Sequence, residues 1–187
     1  MGEIESEVLL VYSKKIDCSI LNCAKDFGKM FEVKIEPAFN FKKDRNALLK
    51  LIESEECTKC IYFDITKRFN RIWFATQEVS YKFEITTAHS VFDMSTVQNY
   101  CCNSGFELIL EGDMDEKFKN ALKRLFVSNS EKKERAIVMF KETNNLHISH
   151  FRLDNKEEIG PRMVLKLEKV FEGFFSGEVT KIKAESS

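Results

Sequence analysis

The sequence predicts an α+β chain made of two similar halves, each reading as strand, helix and three-strand meander. Three observations predict it. Apolar spacing changes from helical to alternating twice along the chain, at corresponding places. Turn formers are scarce, with two Pro and seven Gly in 187 residues, so connections are short and no flexible linker is present. An apolar content of 43% suffices for a packed core, while no apolar run approaches the roughly 18 residues of a membrane helix.

The elements follow in order. Residues 7–12 read as a buried strand, bounded by Ser13-Lys14-Lys15. Asp17 occupies the N-cap position of a helix over 18–29, in which Ile20, Leu21, Ala24 and Phe27, then Phe31, share one face. Val33 and Ile35 alternate like a short strand that Pro37 ends. Asp44 caps a second helix carrying Leu48, Leu49, Leu51 and Ile52; Glu53, Glu55 and Glu56 oppose its dipole and stop it early. Residues 60–65 are β-rich, 67–70 turn, 71–76 return, and 81–86 alternate with period 2. In the second half 106–110 is a strand. Asp113 or Asp115 then caps a helix to about Phe126, with Phe118, Ala121, Leu122 and Leu125 on one face. Residues 136–140 are a strand, Thr143-Asn144-Asn145 a turn, and 146–153 the return strand. The third strand, 163–167, is continued by Val170 and Phe171.

The repeat has a faint trace in the residues themselves. Ile61-x-Phe63 aligns with Val138-x-Phe140, and Lys82-Phe83-Glu84-Ile85 with Arg162-Met163-Val164-Leu165. This reads as an internal duplication within one domain spanning 1–187, with halves at about 7–90 and 91–183. Either half alone leaves a sheet face bare, so the two are expected to pack together with helices on the sheets.

Charge bounds the partners. Lys and Arg number 29 against 30 Asp and Glu, a net −1, so bulk electrostatics do not draw nucleic acid and any such surface is a local patch. The opening Gly2-Glu3-Ile4-Glu5 lacks a secretory pattern, which places the chain in a reducing compartment with its six Cys as thiols. Seventeen Phe exceed what an ordinary core requires.

Lys67, Arg68 and Arg71 cluster at the first meander turn beside Phe69 and Trp73. Such a patch suits RNA, because cations neutralise phosphates and exposed rings stack on unpaired bases; the alternative is a solvated hairpin tip. Arg162 follows Gly160-Pro161. If Met163, Leu165 and Leu167 point inward, period 2 sends Arg162, Val164 and Lys166 outward. Arg152 points away from the face of Phe151 and Leu153, and with Arg162 and Lys166 it forms a candidate basic surface. The alternative is that Arg162 ties down its own loop through Glu157 or Glu158. Phe171, Phe174 and Phe175 flank Gly173 and either cap the core or dock a partner helix.

Catalysis and cofactors find no support. Cys57-x-x-Cys60 with adjacent Cys101-Cys102 lacks the two spaced pairs of a structural zinc site. His147 and His150, three apart on a strand, face opposite sides, and His89 has no nucleophile motif beside it. No nucleophile elbow, phosphate loop, dinucleotide fingerprint or zinc-protease motif is present.

Several segments resemble the Brix domain family. Glu158-Ile159-Gly160-Pro161-Arg162-Met163-Val164-Leu165-Lys166-Leu167, then Val170-Phe171-Glu172-Gly173-Phe174-Phe175, is similar to the family's C-terminal signature. Tyr81-Lys82-Phe83 to His89 resembles its Lys-Phe-x-Val-x-x-x-His segment, Phe151-Arg152 a retained strand pair, and Cys57-Thr58-Lys59-Cys60-Ile61-Tyr62-Phe63 the run of one subfamily. The resemblance spans roughly 7–180. It implies halves similar to an anticodon-binding domain and a non-catalytic nucleolar factor for large-subunit assembly. It also implies binding to pre-ribosomal RNA, to a helical assembly factor of the EBNA-binding-protein type and to other pre-60S proteins, away from membranes. The chain departs from the family where Asn103-Ser104-Gly105-Phe106 replaces Gly-Ser-Arg-Pro, where Val79-Ser80 replaces Gly-Pro, and in lacking basic tails. Each change removes a basic or rigid element, which opens the alternative of a protein-binding scaffold without direct RNA contact.

Overall fold

The computed structural model describes residues 8–13, 18–31, 33–39, 45–94, 105–128 and 130–182. Asp17, Asp44, Cys101, Cys102, Asn103 and Ser104 lie outside them. The first half runs β1 (Val8–Ser13), α1 (Cys18–Lys29), β2 (Val33–Phe39), α2 (Arg45–Ser54), β3 (Lys59–Ile65), β4 (Asn70–Thr76) and β5 (Ser80–His89). The second runs β6 (Gly105–Gly112), α3 (Glu116–Leu125), β7 (Lys133–Glu142), β8 (Asn145–Arg152) and β9 (Arg162–Phe171), with β10 (Val179–Lys181) paired to β9.

The described strands form one sheet in the order β2-β1-β3-β4-β5-β9-β8-β7-β6. In each half a parallel pair leads into an antiparallel meander: β1 beside β3 and β4, β6 beside β7 and β8. The two third strands, β5 and β9, pair antiparallel and weld the halves edge to edge. The expected α+β duplication is therefore present as a single continuous sheet. Among the described residues the first half carries an additional helix and edge strand, α2 and β2.

Residues alternate between two faces. Leu10, Ile61, Phe63, Phe74, Phe83, Ile137, Met139, Ile148 and Leu165 face α1 and α3. Leu9, Val11, Cys60, Tyr62, Trp73 and Ala75 face α2, whose Leu48 and Ile52 cover them. The stripe on α1 is Ile20, Cys23, Ala24 and Phe27. The buried stripe on α3 is Phe118, Ala121, Leu122 and Leu125. This second-half helix lies over first-half strands: the Phe118 ring is 4.6 Å from Tyr81 and the Phe126 ring 5.6 Å from Phe74. The surplus of Phe is thus spent in an aromatic core shared by both halves.

Two expectations are corrected. Pro37 does not end β2, which continues to Phe39. β2 is an edge strand, and its register against β1 shifts between the Val11 and Ser13 pairings, where Pro37 falls; an edge irregularity tolerates a residue with no N–H to give. The second correction concerns the repeat alignment. Ile61 and Phe63 face the helix-side core, whereas Val138 is half-buried and Phe140 exposed on the opposite face. Their true counterparts are Ile137 and Met139, because a one-residue slip turns every side chain over. The alignment of Phe83 and Ile85 with Met163 and Leu165 keeps its parity.

Asp115, one of the two candidate caps, is the N-cap of α3: its Oδ1 accepts from the Phe118 amide at 2.7 Å. Asp115→Ala is expected to lower stability by about 1 kcal/mol in urea denaturation, since an orphan helical N–H loses its acceptor.

Candidate nucleic-acid interface

The antiparallel meander sets one cross-strand row on the face opposite α1 and α3. Asp64 lies opposite Arg71, Arg71 opposite Glu84, Glu84 opposite Lys166 and Lys166 opposite Asn145. Arg71 and Lys166, from different halves, thus share a face and a row. Lys67 and Arg68 are exposed in the β3–β4 turn at the rim of the same sheet, where the Thr66 hydroxyl accepts from the Arg68 and Phe69 amides.

Arg71 is not a free cation. Its guanidinium lies 3.8 Å above the Phe69 ring; its Nε is 2.9 Å from Glu168 and its Nη2 donates to the same carboxylate at 3.1 Å. Lys82 Nζ reaches Glu168 at 3.3 Å and lies 5.3 Å from the Trp73 ring. Glu168 takes this position because β5 and β9 slip register there: Lys82 faces Lys169 but Phe83 faces Leu167, leaving Glu168 as the extra residue. A bulge re-aims a side chain in this way. Burial alone would raise the Glu168 carboxyl, but hydrogen bonding to Arg71 and the charges of Lys82 and Arg71 hold it below the ordinary value. Burial lowers Lys82, and Glu168 only partly offsets this. Burial pushes the nearby Asp64 up.

The proposed basic surface of Arg152, Arg162 and Lys166 does not hold as one surface. Arg162 and Lys166 lie on the Arg71 face. Arg152 sits opposite Arg135 with the parity of Ile148 and His150, on the helix-bearing side. Arg152 is held by Asp154, with Nε at 3.0 Å from Oδ1. Arg162 grips Glu158, Nε to Oε1 at 2.8 Å, so it ties down its own loop as the alternative reading held. That hydrogen bond lowers the Glu158 carboxyl and raises the guanidinium. Phe171 and Phe175 are buried, with rings 5.2 and 5.5 Å from Trp73, and Phe174 is half-buried against them. They complete the α2-side core rather than present a docking face.

Lys82 and Glu168 are the residues missed from the sequence. Lys82 was legible, since period 2 sends it out opposite Phe83; Glu168 was not, because a bulge leaves no mark in spacing. Cys60 is buried in β3 and packs as a small hydrophobe, its thiol pushed up by burial. His147 and His150 point to opposite faces of β8, as expected.

No protein-family model and no curated protein matches the chain. Solved structures do. A probable ribosomal biogenesis protein from Aeropyrum pernix K1 superposes with a TM-score of 0.55 at 10% identity, over 95% of this chain and 99% of that one. An archaeal Imp4-like protein superposes with a TM-score of 0.49 at 11% identity, over 89% and 100%. The duplicated α+β sheet of this chain is thus the fold of the Aeropyrum pernix protein, shared along nearly the whole of both.

Proposed function

We propose that the chain is a Brix-family factor that assembles the large ribosomal subunit without catalysing a reaction. The observation that carries this is the fold shared end to end with a protein described as a probable ribosomal biogenesis protein. The Gly160-Pro161-Arg162 block and the Cys57–Phe63 run support the same reading from the sequence, the latter favouring the Brix protein itself within the family. In this reading the chain works in the nucleolus. It contacts pre-ribosomal RNA of the large subunit through Lys67, Arg68 and Lys166, which are exposed and have the reach to neutralise phosphates. A helical partner of the EBNA-binding-protein type holds it in place among other pre-60S proteins. Phosphate contacts fix register and the partner supplies effective concentration.

The test is binding of the purified chain to large-subunit pre-rRNA fragments across a salt series. With Lys67→Glu and Arg68→Glu combined, the slope of log affinity against log salt is expected to flatten by about 1.4, the value for two lost contacts to single strands. An unchanged slope removes the hairpin tip from the interface. A second reading, a scaffold that contacts protein alone, is favoured by the pairing of Arg71, Arg152 and Arg162 with Glu168, Asp154 and Glu158. It predicts no RNA binding even at low salt.

A further inference from the structure

The two halves carry the same lattice of positions on the face opposite α1 and α3, and among the described residues a helix covers only the first. In the first half the rows are Leu9, Cys60, Ala75 and Val11, Tyr62, Trp73. All six are buried, with α2 laying Leu48 and Ile52 on them. In the second half, with Ile137 in the place of Ile61, the row matching Val11, Tyr62, Trp73 is Ile109, Val138, Ser149, and the next row along is Glu111, Phe140, His147, with Val164 beside His147. No described helix of the second half packs there. Ile109, Val138, His147 and Val164 are only half-buried, and Phe140 is 42% exposed. Its ring centroid is 6.3 Å from that of His147. The row that one half buries under a two-turn apolar stripe is left partly wet in the other, and so is the row beyond it.

The β6 border of this strip is acidic. On the β6 side stand Glu107 and Glu111, both exposed, four residues apart and so roughly 13 Å along the strand, a little over two helical turns. On the β9 side exposed Lys166 stands between Glu84 and Asn145, and Asn145 pairs with exposed Glu142, so that border is mixed. We infer that this face of the second half docks an amphipathic helix of a partner protein, with an apolar stripe on Ile109, Val138, Phe140 and Val164 and basic residues along the flank over Glu107 and Glu111. The partner helix covers the row that α2 covers in the first half and the row beyond it. The inference rests on the proposal that the chain works with a protein partner and does not depend on RNA contact.

The probe is a stapled helical peptide of about 18 residues with Leu at i, i+3, i+4 and i+7, Lys on one flank and Glu on the other. A control peptide carries Glu on both flanks. Added to the full chain, the Lys/Glu peptide is expected to shift the NMR methyl signals of Ile109, Val138 and Val164 and to bind more tightly than the control. Phe140→Glu should weaken it at least tenfold without moving the thermal midpoint. Glu111→Lys, a change at an exposed position, should reverse the preference between the two peptides. Methyl signals that stay still, shifts confined to another surface, or full binding by Phe140→Glu would each overturn the inference. So would a concentration-dependent dimer in sedimentation that Phe140→Glu abolishes, since the occupant would then be a second copy. None of these outcomes alters the salt titration of RNA binding, so the two proposals fail separately.

Discussion

Phe27→Ala is expected to cost about 3–5 kcal/mol, read as a lower urea midpoint at unchanged slope. Phe27 is fully buried in α1, and its ring meets Phe31 at 5.6 Å, Phe63 at 6.0 Å, Phe74 at 6.5 Å and Phe126 at 5.7 Å. Phe31 comes from the end of the same helix, Phe63 and Phe74 from the first-half sheet, and Phe126 from the cap of the second-half helix. Truncation therefore opens a cavity walled by both halves, and edge-to-face ring contacts worth about 0.5–1.5 kcal/mol each are lost with it. The rigid sheet on one side and two helices on the other leave little room for collapse. Phe92→Ala is the matched comparison: Phe92 is 88% exposed, and its loss should fall within about 0.5 kcal/mol of neutral. A Phe27→Ala cost near 1 kcal/mol would mean that the halves do not share this core.

Acid is expected to weaken the fold before Glu158 and Glu168 titrate. His150 is fully buried on β8; its Nδ1 stands 2.7 Å from the Gly160 carbonyl and its Nε2 3.5 Å from Arg135 Nη1. A carbonyl only accepts, so Nδ1 carries the proton and Nε2 is the bare acceptor facing the guanidinium. Burial, despite the Gly160 hydrogen bond and helped by the Arg135 charge, lowers its pKa from 6.5 to about 4. Protonating Nε2 would place a second cation against Arg135, whose Nη2 also donates to the Met30 carbonyl at 3.2 Å and so ties β7 to the end of α1. The folded state holds His150 neutral more firmly than the unfolded chain does. Its contribution is thus complete above pH 6.5 and is lost as pH falls from 6.5 to about 4, on the order of 3 kcal/mol in all. Glu158 and Glu168 have lowered pKa values, so their contributions are lost only below the ordinary glutamate value of 4.5. Stability measured by urea between pH 7 and pH 4.5 should therefore fall in the native chain and stay nearly level in His150→Gln. A native chain equally stable at both ends of that window would overturn the assignment.

The surroundings of His150 are only partly encoded in local sequence. His150 was legible as facing away from His147, because alternation on a strand is local. That it sits beside Arg135 was not, because the two are brought together only when β7 pairs with β8. The same division runs through the candidate interface. Lys67, Arg68 and Lys166 were legible as outward cations from turn chemistry and period 2. The pairing of Arg71 with Glu168 depends on a register slip between strands about 80 residues apart, which no local pattern encodes. Arg162 and Glu158 are four residues apart, and their contact was legible as one of two alternatives for that reason. Phe171 and Phe175 were likewise open between core and surface, since whether α2 and Trp73 reach them is a long-range matter.

Local physics therefore determined the elements. Apolar spacing, scarce turn formers and an Asp cap set three helices and the two meanders to within a few residues, and the repeated order of elements announced the duplication. Only the tertiary structure decided how the halves meet. They join edge to edge through β5 and β9, with α3 lying across the strands of the other half. The reason is that hydrogen-bonding edges are alike in every strand, so which edges pair is settled by the summed burial of Phe27, Phe74, Phe83, Phe118 and Phe126. That choice also placed Arg71 and Lys166, from different halves, in a single row.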